Sequence, residues 1–266
     1  MACEFSIIFC TCDSYSDLWD GFFYLFKKYW PDFDGEIIFN TDKIEYTYNG
    51  LNIVNVKHEE GANMSWSDML NRALDLCKYE EILLILEDFY FLNRVKHKKV
   101  LDTVEVMKKN NNIVSITYLN EPGAYRKSDV LKGFDYRKHF SLYKMTAHMT
   151  LYKKAFLKKI LRSNENAWQF EINGTVRSWL LPGDFLCMEK GGEPIIPYDG
   201  DFVRLGKFIK ERKEYYEINE NIVFSNKRGI LENFYDHKEN VTNHRKIKMF
   251  AYGIKAIPSI WGRKPR

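Results

Sequence analysis

Residues Ile82-Leu83-Leu84-Ile85-Leu86-Glu87-Asp88-Phe89 form an apolar run that stops at two adjacent carboxylates. Five branched aliphatics in a row fill both faces of a strand, the pattern found inside a parallel sheet. Ligands of such sheets gather where the strands end, at their carboxyl edge. Glu87 and Asp88 therefore stand where chemistry is expected, although acidic residues also mark the plain exit of a strand into water.

Outward from this run the first half of the chain alternates strand-like and helix-like segments. Phe5 to Cys12 reads as a buried strand, and Ser14 to Tyr29 as a helix with Leu18, Phe22, Leu25, Phe26 and Tyr29 at helical spacing. Ser14 and Asp17 suit its N-terminal cap, and Trp30-Pro31 ends it. Glu36 to Asn40 and Leu51 to Val56 are two further strands. A helix opened by Ser65 or Ser67 then leads into the central run, and a helix over 96–109 precedes a strand at Ile113 to Tyr118. This alternation predicts an α/β fold with a mostly parallel sheet flanked by helices, whose right-handed crossovers collect strand ends along one edge. Asp13, Asp42 and Glu87-Asp88 all fall on that edge.

The second half is less regular. Asn120 to Phe140 reads as an exposed loop, Tyr143 to Tyr152 as a strand, 153–162 as a short helix and Ile172 to Leu180 as another. Gly191-Gly192, Pro194 and Pro197 mark turns before 201–207. The expected organisation is one domain over 1–240 and a basic amphipathic tail over 241–266.

Composition narrows the classes. A chain of 266 residues that is 45% hydrophobic buries a substantial core, so disorder of the whole is excluded. Its 40 basic and 36 acidic residues leave a net charge of only +4, which gives no support to a nucleic-acid partner. The asymmetry lies at the end: beyond Asn240 come Arg245, Lys246, Lys248, Lys255, Arg263, Lys264 and Arg266 without one acid, a composition suited to peripheral contact with an anionic membrane. The five cysteines show no CxxC spacing, and Cys10 and Cys12 read as same-face strand residues. The absence of a leader-like start and of any bilayer-length apolar stretch points to a reduced, cytoplasmic setting.

The acidic edge suits a diphosphate. Mg²⁺ or Mn²⁺ takes one or two carboxylates and leaves positions for phosphate oxygens, and Asp88 is the first candidate ligand, with Glu87 on the opposite side of the strand facing a base, ribose or loop. Thr11 and Asp13 sit where short polar side chains read a nucleobase or ribose, while Asp13 equally suits a helix cap. In Trp168-Gln169-Phe170-Glu171 a carboxylate between aromatics is a candidate general base, and the rings are candidates for stacking on sugars; Glu171 also fits a plain helix start. Arg204-Leu205-Gly206-Lys207 can bring two cations onto a diphosphate. His148 has no partner at metal-ligand spacing and is an acceptor-side candidate.

Six segments together carry a resemblance: Asp17-Leu18-Trp19 with Tyr29-Trp30-Pro31, Trp66-Ser67, Leu84 to Phe89, Trp168 to Glu171, and Arg204 to Lys207. In their order and spacing over residues 5–210 the chain resembles bacterial GT-A-type glycosyltransferases of capsular polysaccharide and O-antigen synthesis. The resemblance implies a GT-A-like (Rossmann-like) sheet with a less regular C-terminal extension and transfer of a sugar from a nucleotide-diphosphate donor, UDP-linked, to a glycan or lipid-linked glycan. It implies a donor site over Thr11, Asp13, Asp42, Trp66, Glu87, Arg204 and Lys207, a Mn²⁺ or Mg²⁺ ion at Asp88, Glu171 as the base of an inverting displacement, and Trp168 and His148 on the acceptor side. Glu87-Asp88 departs from the Asp-x-Asp or Asp-Asp motif usual in such enzymes. A sugar nucleotidyltransferase would carry a Gly-rich phosphate loop after its first strand, where only Gly21 occurs, and a non-catalytic glycan-binding protein on the same fold is the other alternative.

Overall fold

The computed structural model describes residues 3–58, 64–200 and 202–232. The expected tail over 241–266 lies outside the described residues. In chain order the elements are β1 (Ser6–Cys10), a 3₁₀ turn (Asp13–Leu18), α1 (Trp19–Tyr29), β2 (Glu36–Asn40), β3 (Asn52–Asn55), α2 (Trp66–Leu76), β4 (Glu81–Leu86), β5 (Tyr90–Phe91), α3 (His97–Lys109) and β6 (Ile113–Thr117). There follow β7 (Ala124–Lys127), β8 (Phe134–Arg137), β9 (Thr150–Lys153), α4 (Lys154–Ile160), α5 (Ala167–Ser178), β10 (Asp184–Met188), β11 (Tyr198–Asp199), β12 (Val203–Arg204), β13 (Lys207–Ile209), α6 (Lys210–Glu220) and β14 (Ile230–Leu231).

The central strand β4 owes its unbroken apolar sequence to two cores. Leu83 and Ile85 enter one, with Ile7, Phe9 and the aromatic face of α1 (Phe22, Phe23, Phe26). Ile82 and Leu84 enter the other, with Ile8, Leu70 and Leu74 of α2 and Phe170 of α5. Alternate side chains of a strand point to opposite faces, so a strand covered on both sides carries no polar alternation. The sheet order is β3-β2-β1-β4-β9-β6-β10-β8-β7, with β9 and β8 antiparallel to their neighbours and the other seven strands running one way. The mostly parallel α/β sheet expected from the sequence is present.

Local signals account for the elements that match. Trp30 N–H closes α1 on the Phe26 carbonyl at 2.7 Å, just before Pro31. Ser65 caps α2 by accepting from the Asp68 N–H at 3.2 Å. Ser14 and Asp17 do not cap as expected: the chain enters a 3₁₀ turn first, and Asp17 pairs with Arg228 instead.

Four expectations in the second half are corrected. The segment 120–140 is not one exposed loop but holds the hairpin β7–β8 at the sheet edge, pinned by buried Arg137, which donates to the carbonyls of Pro122, Leu142, Tyr143 and Lys144. The strand expected from Tyr143 shrinks to β9, because Tyr143 has φ 48° and 143–149 fold as turns. Helix α5 begins at Ala167, five residues earlier than expected, since Asn166 and Gln169 form a reciprocal capping box with both bonds at 2.9 Å. Strand β10 and helix α6 were not anticipated: β10 is five residues long, and α6 buries only Tyr216 and Glu220.

Candidate functional site

The carboxyl ends of β1, β2 and β4 lie side by side, with Cys10 in register with both Asn40 and Leu86. Thr11, Thr41 and Glu87 each follow those positions, so the sheet register brings the acidic strand ends to one edge. Asp13 and Asp42 are directly joined, the Asp13 N–H donating to Asp42 Oδ2 at 2.9 Å. Asp13 Oδ1 accepts from the Thr41 hydroxyl (2.9 Å) and from the N–H groups of Lys43 (3.1 Å) and Ile44 (3.2 Å). Partial burial opposes ionisation, but these donors win and hold the Asp13 carboxyl below its usual range. Asp13 thus shapes the loop after β2. Thr11 is a packing contact, its hydroxyl accepting from Trp19 Nε1 at 2.9 Å in the interior.

Glu87 and Asp88 emerge from β4 half-buried. Burial first, and the adjacent Asp88 carboxylate second, raise Glu87 well above the ordinary glutamate range, with Arg228 working against them. Two carboxylates whose ionisation is mutually opposed are a donor set that a divalent cation relieves, and Mg²⁺ or Mn²⁺ needs only one or two such ligands beside phosphate oxygens. No group of three His, Cys, Asp or Glu side chains able to hold a metal occurs among the described residues, so an ion held by this pair would take its remaining oxygens from water or a bound phosphate.

One group at this edge was invisible in the sequence. The Arg228 guanidinium lies over the Tyr15 ring, 4.0 Å from its centroid, and bonds Asp17 in bidentate fashion. It also donates to the carbonyls of Ser14 (2.8 Å) and Gly206 (3.4 Å). Burial works against its charge, but Asp17, Tyr15 and Glu87 hold its proton more firmly than usual. The Gly206 contact places the tip of the β12–β13 hairpin beside the 3₁₀ turn, and Arg204 and Lys207 face each other across that tip. Both tip residues, Leu205 (φ 51°) and Gly206 (φ 73°), have the left-handed backbone of a two-residue hairpin turn.

On the other flank, Phe89 follows Asp88 and meets the His148 ring at 6.0 Å. His148 Nδ1 is 3.1 Å from Oε1 of buried Glu121. Next to His148, the Ala147 N–H and the Thr146 hydroxyl donate to Glu171 Oε1 at 2.8 and 3.1 Å. Burial raises the Glu171 carboxyl above its usual range, the Ala147 N–H, His148 and the Thr146 hydroxyl opposing the rise and Glu121 adding to it. Trp66 stacks obliquely on Phe170 at 5.2 Å, beneath α5, and Trp168 is 75% exposed on the first turn of that helix. The structure therefore brings Glu121, His148 and Glu171 together, sets Phe89, the residue after Asp88, against the His148 ring, and ties Asp13 to Asp42. Glu121, Tyr15 and Arg228 escaped sequence reading because none of them lies in a motif and each meets the site only through distant contacts.

No family model and no curated protein matches the chain. Solved structures show a loose likeness. The Staphylococcus aureus protein TarS (residues 1–349) is 15% identical with TM-score 0.48, over 74% of this chain and 59% of that one. The same protein in complex with UDP-GlcNAc is 13% identical with TM-score 0.42, over 97% and 73%. Glucosyl-3-phosphoglycerate synthase from Mycobacterium tuberculosis, in complex with Mn²⁺ and UDP-glucose, is 10% identical with TM-score 0.39, over 66% and 64%. This chain thus spans 59% of the TarS fragment in one comparison and 73% in the other, and a likeness of this degree says nothing about chemistry.

Proposed function

We propose that the chain is a nucleotide-sugar glycosyltransferase of the GT-A type. It moves a hexose such as galactose or galactofuranose from a UDP-linked donor to a hydroxyl of a glycan or lipid-linked glycan in bacterial surface polysaccharide synthesis, with inversion. The observation that carries this reading is the chain of contacts running from the end of β4 to Glu171: Phe89, next to Asp88, against the His148 ring, and Ala147, next to His148, bonded to Glu171. A strand-end carboxylate pair and a half-buried carboxylate on one flank are the two parts that such a displacement needs.

Glu171 Oε1 is fully occupied by Ala147 and Thr146, which leaves Oε2, with no hydrogen bond among the described residues, to take a proton. The acceptor oxygen loses that proton to Oε2 as it bonds the anomeric carbon, and the bond from that carbon to the diphosphate breaks with its electron pair on the phosphate oxygen. Asp88, with Glu87 beside it, would hold Mn²⁺ or Mg²⁺, which would neutralise the charge growing on the diphosphate. Arg204 and Lys207 add positive charge from the hairpin tip, Asp13 and Asp42 shape the nucleotide side with Trp66, Thr11 supports that side from the interior through Trp19, and Trp168 and His148 serve the acceptor. Peripheral binding to anionic membrane is assigned to 241–266. No helix among the described residues is long and apolar enough to cross a membrane.

The test is Glu171→Gln. With UDP-sugars as donors it abolishes transfer while UDP binding, followed by calorimetry, stays as in the parent. Undiminished transfer overturns the assignment.

A further inference from the structure

Glu121 is a buried carboxylate in the turn after β6, 27 residues before the imidazole that it meets. A buried acid facing one ring nitrogen fixes the tautomer and orientation of a histidine and favours its charged form. The backbone of that same histidine belongs to the turn that holds Glu171. The His148 N–H donates to Thr146 Oγ1 at 3.2 Å, and Thr146 Oγ1 in turn donates to Glu171 Oε1. Tyr152 locks the turn from beneath, its hydroxyl bonding both the N–H (3.0 Å) and the carbonyl (2.8 Å) of Thr146.

We infer that Glu121 and His148 form a carboxylate–imidazole pair that positions Glu171 and sets the charge around it, an inference that deepens the reading of Glu171 as the base. Among the described residues the charged and titratable groups facing this cluster include Arg137, Tyr198 and Cys187, beside Glu121, and Tyr152, beneath Thr146. Buried acids in apolar surroundings favour their neutral form, which cannot accept a proton. The imidazolium supplies the opposing field, and its effect on Glu171 is in that direction. His148 is thereby a positioning residue whose ring tunes the carboxylate through space, while its backbone aims it.

The experiment is a pH titration by NMR of the full chain carrying ¹³C-labelled glutamate and ¹⁵N-labelled histidine, with Glu171→Gln and His148→Asn used to assign the two signals. In His148→Asn the Glu171 midpoint moves to higher pH, and in Glu121→Gln the His148 midpoint moves to lower pH. In transfer assays with UDP-sugars the acidic limb of the kcat profile of His148→Asn moves up together with the Glu171 signal. An unmoved Glu171 midpoint in His148→Asn, or an unmoved His148 midpoint in Glu121→Gln, overturns the pairing. If one variant loses its folded amide spectrum, the other decides. Shifted titrations in a chain that transfers no sugar uphold the pair and defeat the base assignment instead.

Discussion

Arg228 grips Asp17 across 211 residues of chain, Nε to Oδ2 at 2.9 Å and Nη2 to Oδ1 at 2.8 Å, with both side chains almost wholly buried. The pair fastens the segment after α6 onto the turn that follows β1, beside the acidic edge. Breaking a buried pair from one side leaves the other charge without compensation, which costs about 3–5 kcal/mol. Arg228→Met therefore lowers the urea midpoint strongly, and Arg228→Met combined with Asp17→Asn recovers part of the loss. Equal midpoints for the single and double variants would show that packing, not charge, fastens the segment.

A second buried pair supports α5. Glu165 accepts from Arg177 Nη1 (2.8 Å) and Nη2 (2.6 Å) and from Asn173 Nδ2 (2.9 Å). The bonds join the start of α5 to its last turn and so hold straight the helix that carries Glu171. Glu165→Ala is expected to destabilise by about 3–5 kcal/mol in chemical denaturation, for the same reason of an uncompensated buried charge.

Metal dependence is read at Asp88. With the carboxylate intact, Mn²⁺ together with UDP raises the thermal midpoint, because a ligand that binds only the folded chain stabilises it by mass action. In the proposed reading Asp88→Asn removes the charge that the ion needs, and the added effect of Mn²⁺ over UDP alone is expected to disappear. A Mn²⁺ effect that survives in Asp88→Asn places the ion elsewhere.

Lys144, two residues before Thr146, gives a pH signature of its own. Burial, then the nearby Arg137, push its ammonium down from 10.5 to about 8, with Asp184 working the other way. Between those values the unfolded chain binds more protons than the folded one, so this group makes stability rise as pH climbs from about 8 to 10.5 and contributes nothing favourable below. Lys144→Met removes the dependence and stabilises the chain at neutral pH by on the order of 1–3 kcal/mol, the scale of a shift of this size. Parallel stability curves for parent and variant from pH 8 to 10.5 would reject the account.

Much of the first half was legible in the chain itself. Ile82 to Leu86 could only be a strand covered on both faces, and Ser65, Trp30-Pro31 and the spacing of Phe22 and Phe26 fixed helix ends and faces through short-range chemistry. The adjacency of Asp13 and Asp42 with Glu87-Asp88 followed from the strand-end rule, because parallel strands deliver their carboxyl ends to one edge whatever the side chains. Tertiary structure decided the rest. Asp17 read as a cap and became the partner of Arg228; 120–140 read as loop and became an edge hairpin pinned by Arg137; Glu121 carried no signal and now faces His148. Periodicity and capping are properties of neighbours within a turn or two, so the sequence by itself determined the strands of the first half, their helices and the acidic edge. Pairing of buried charges depends on which distant residues the completed fold leaves without water, and only that fold chose Arg228 for Asp17 and the turn at 146–148 for Glu171.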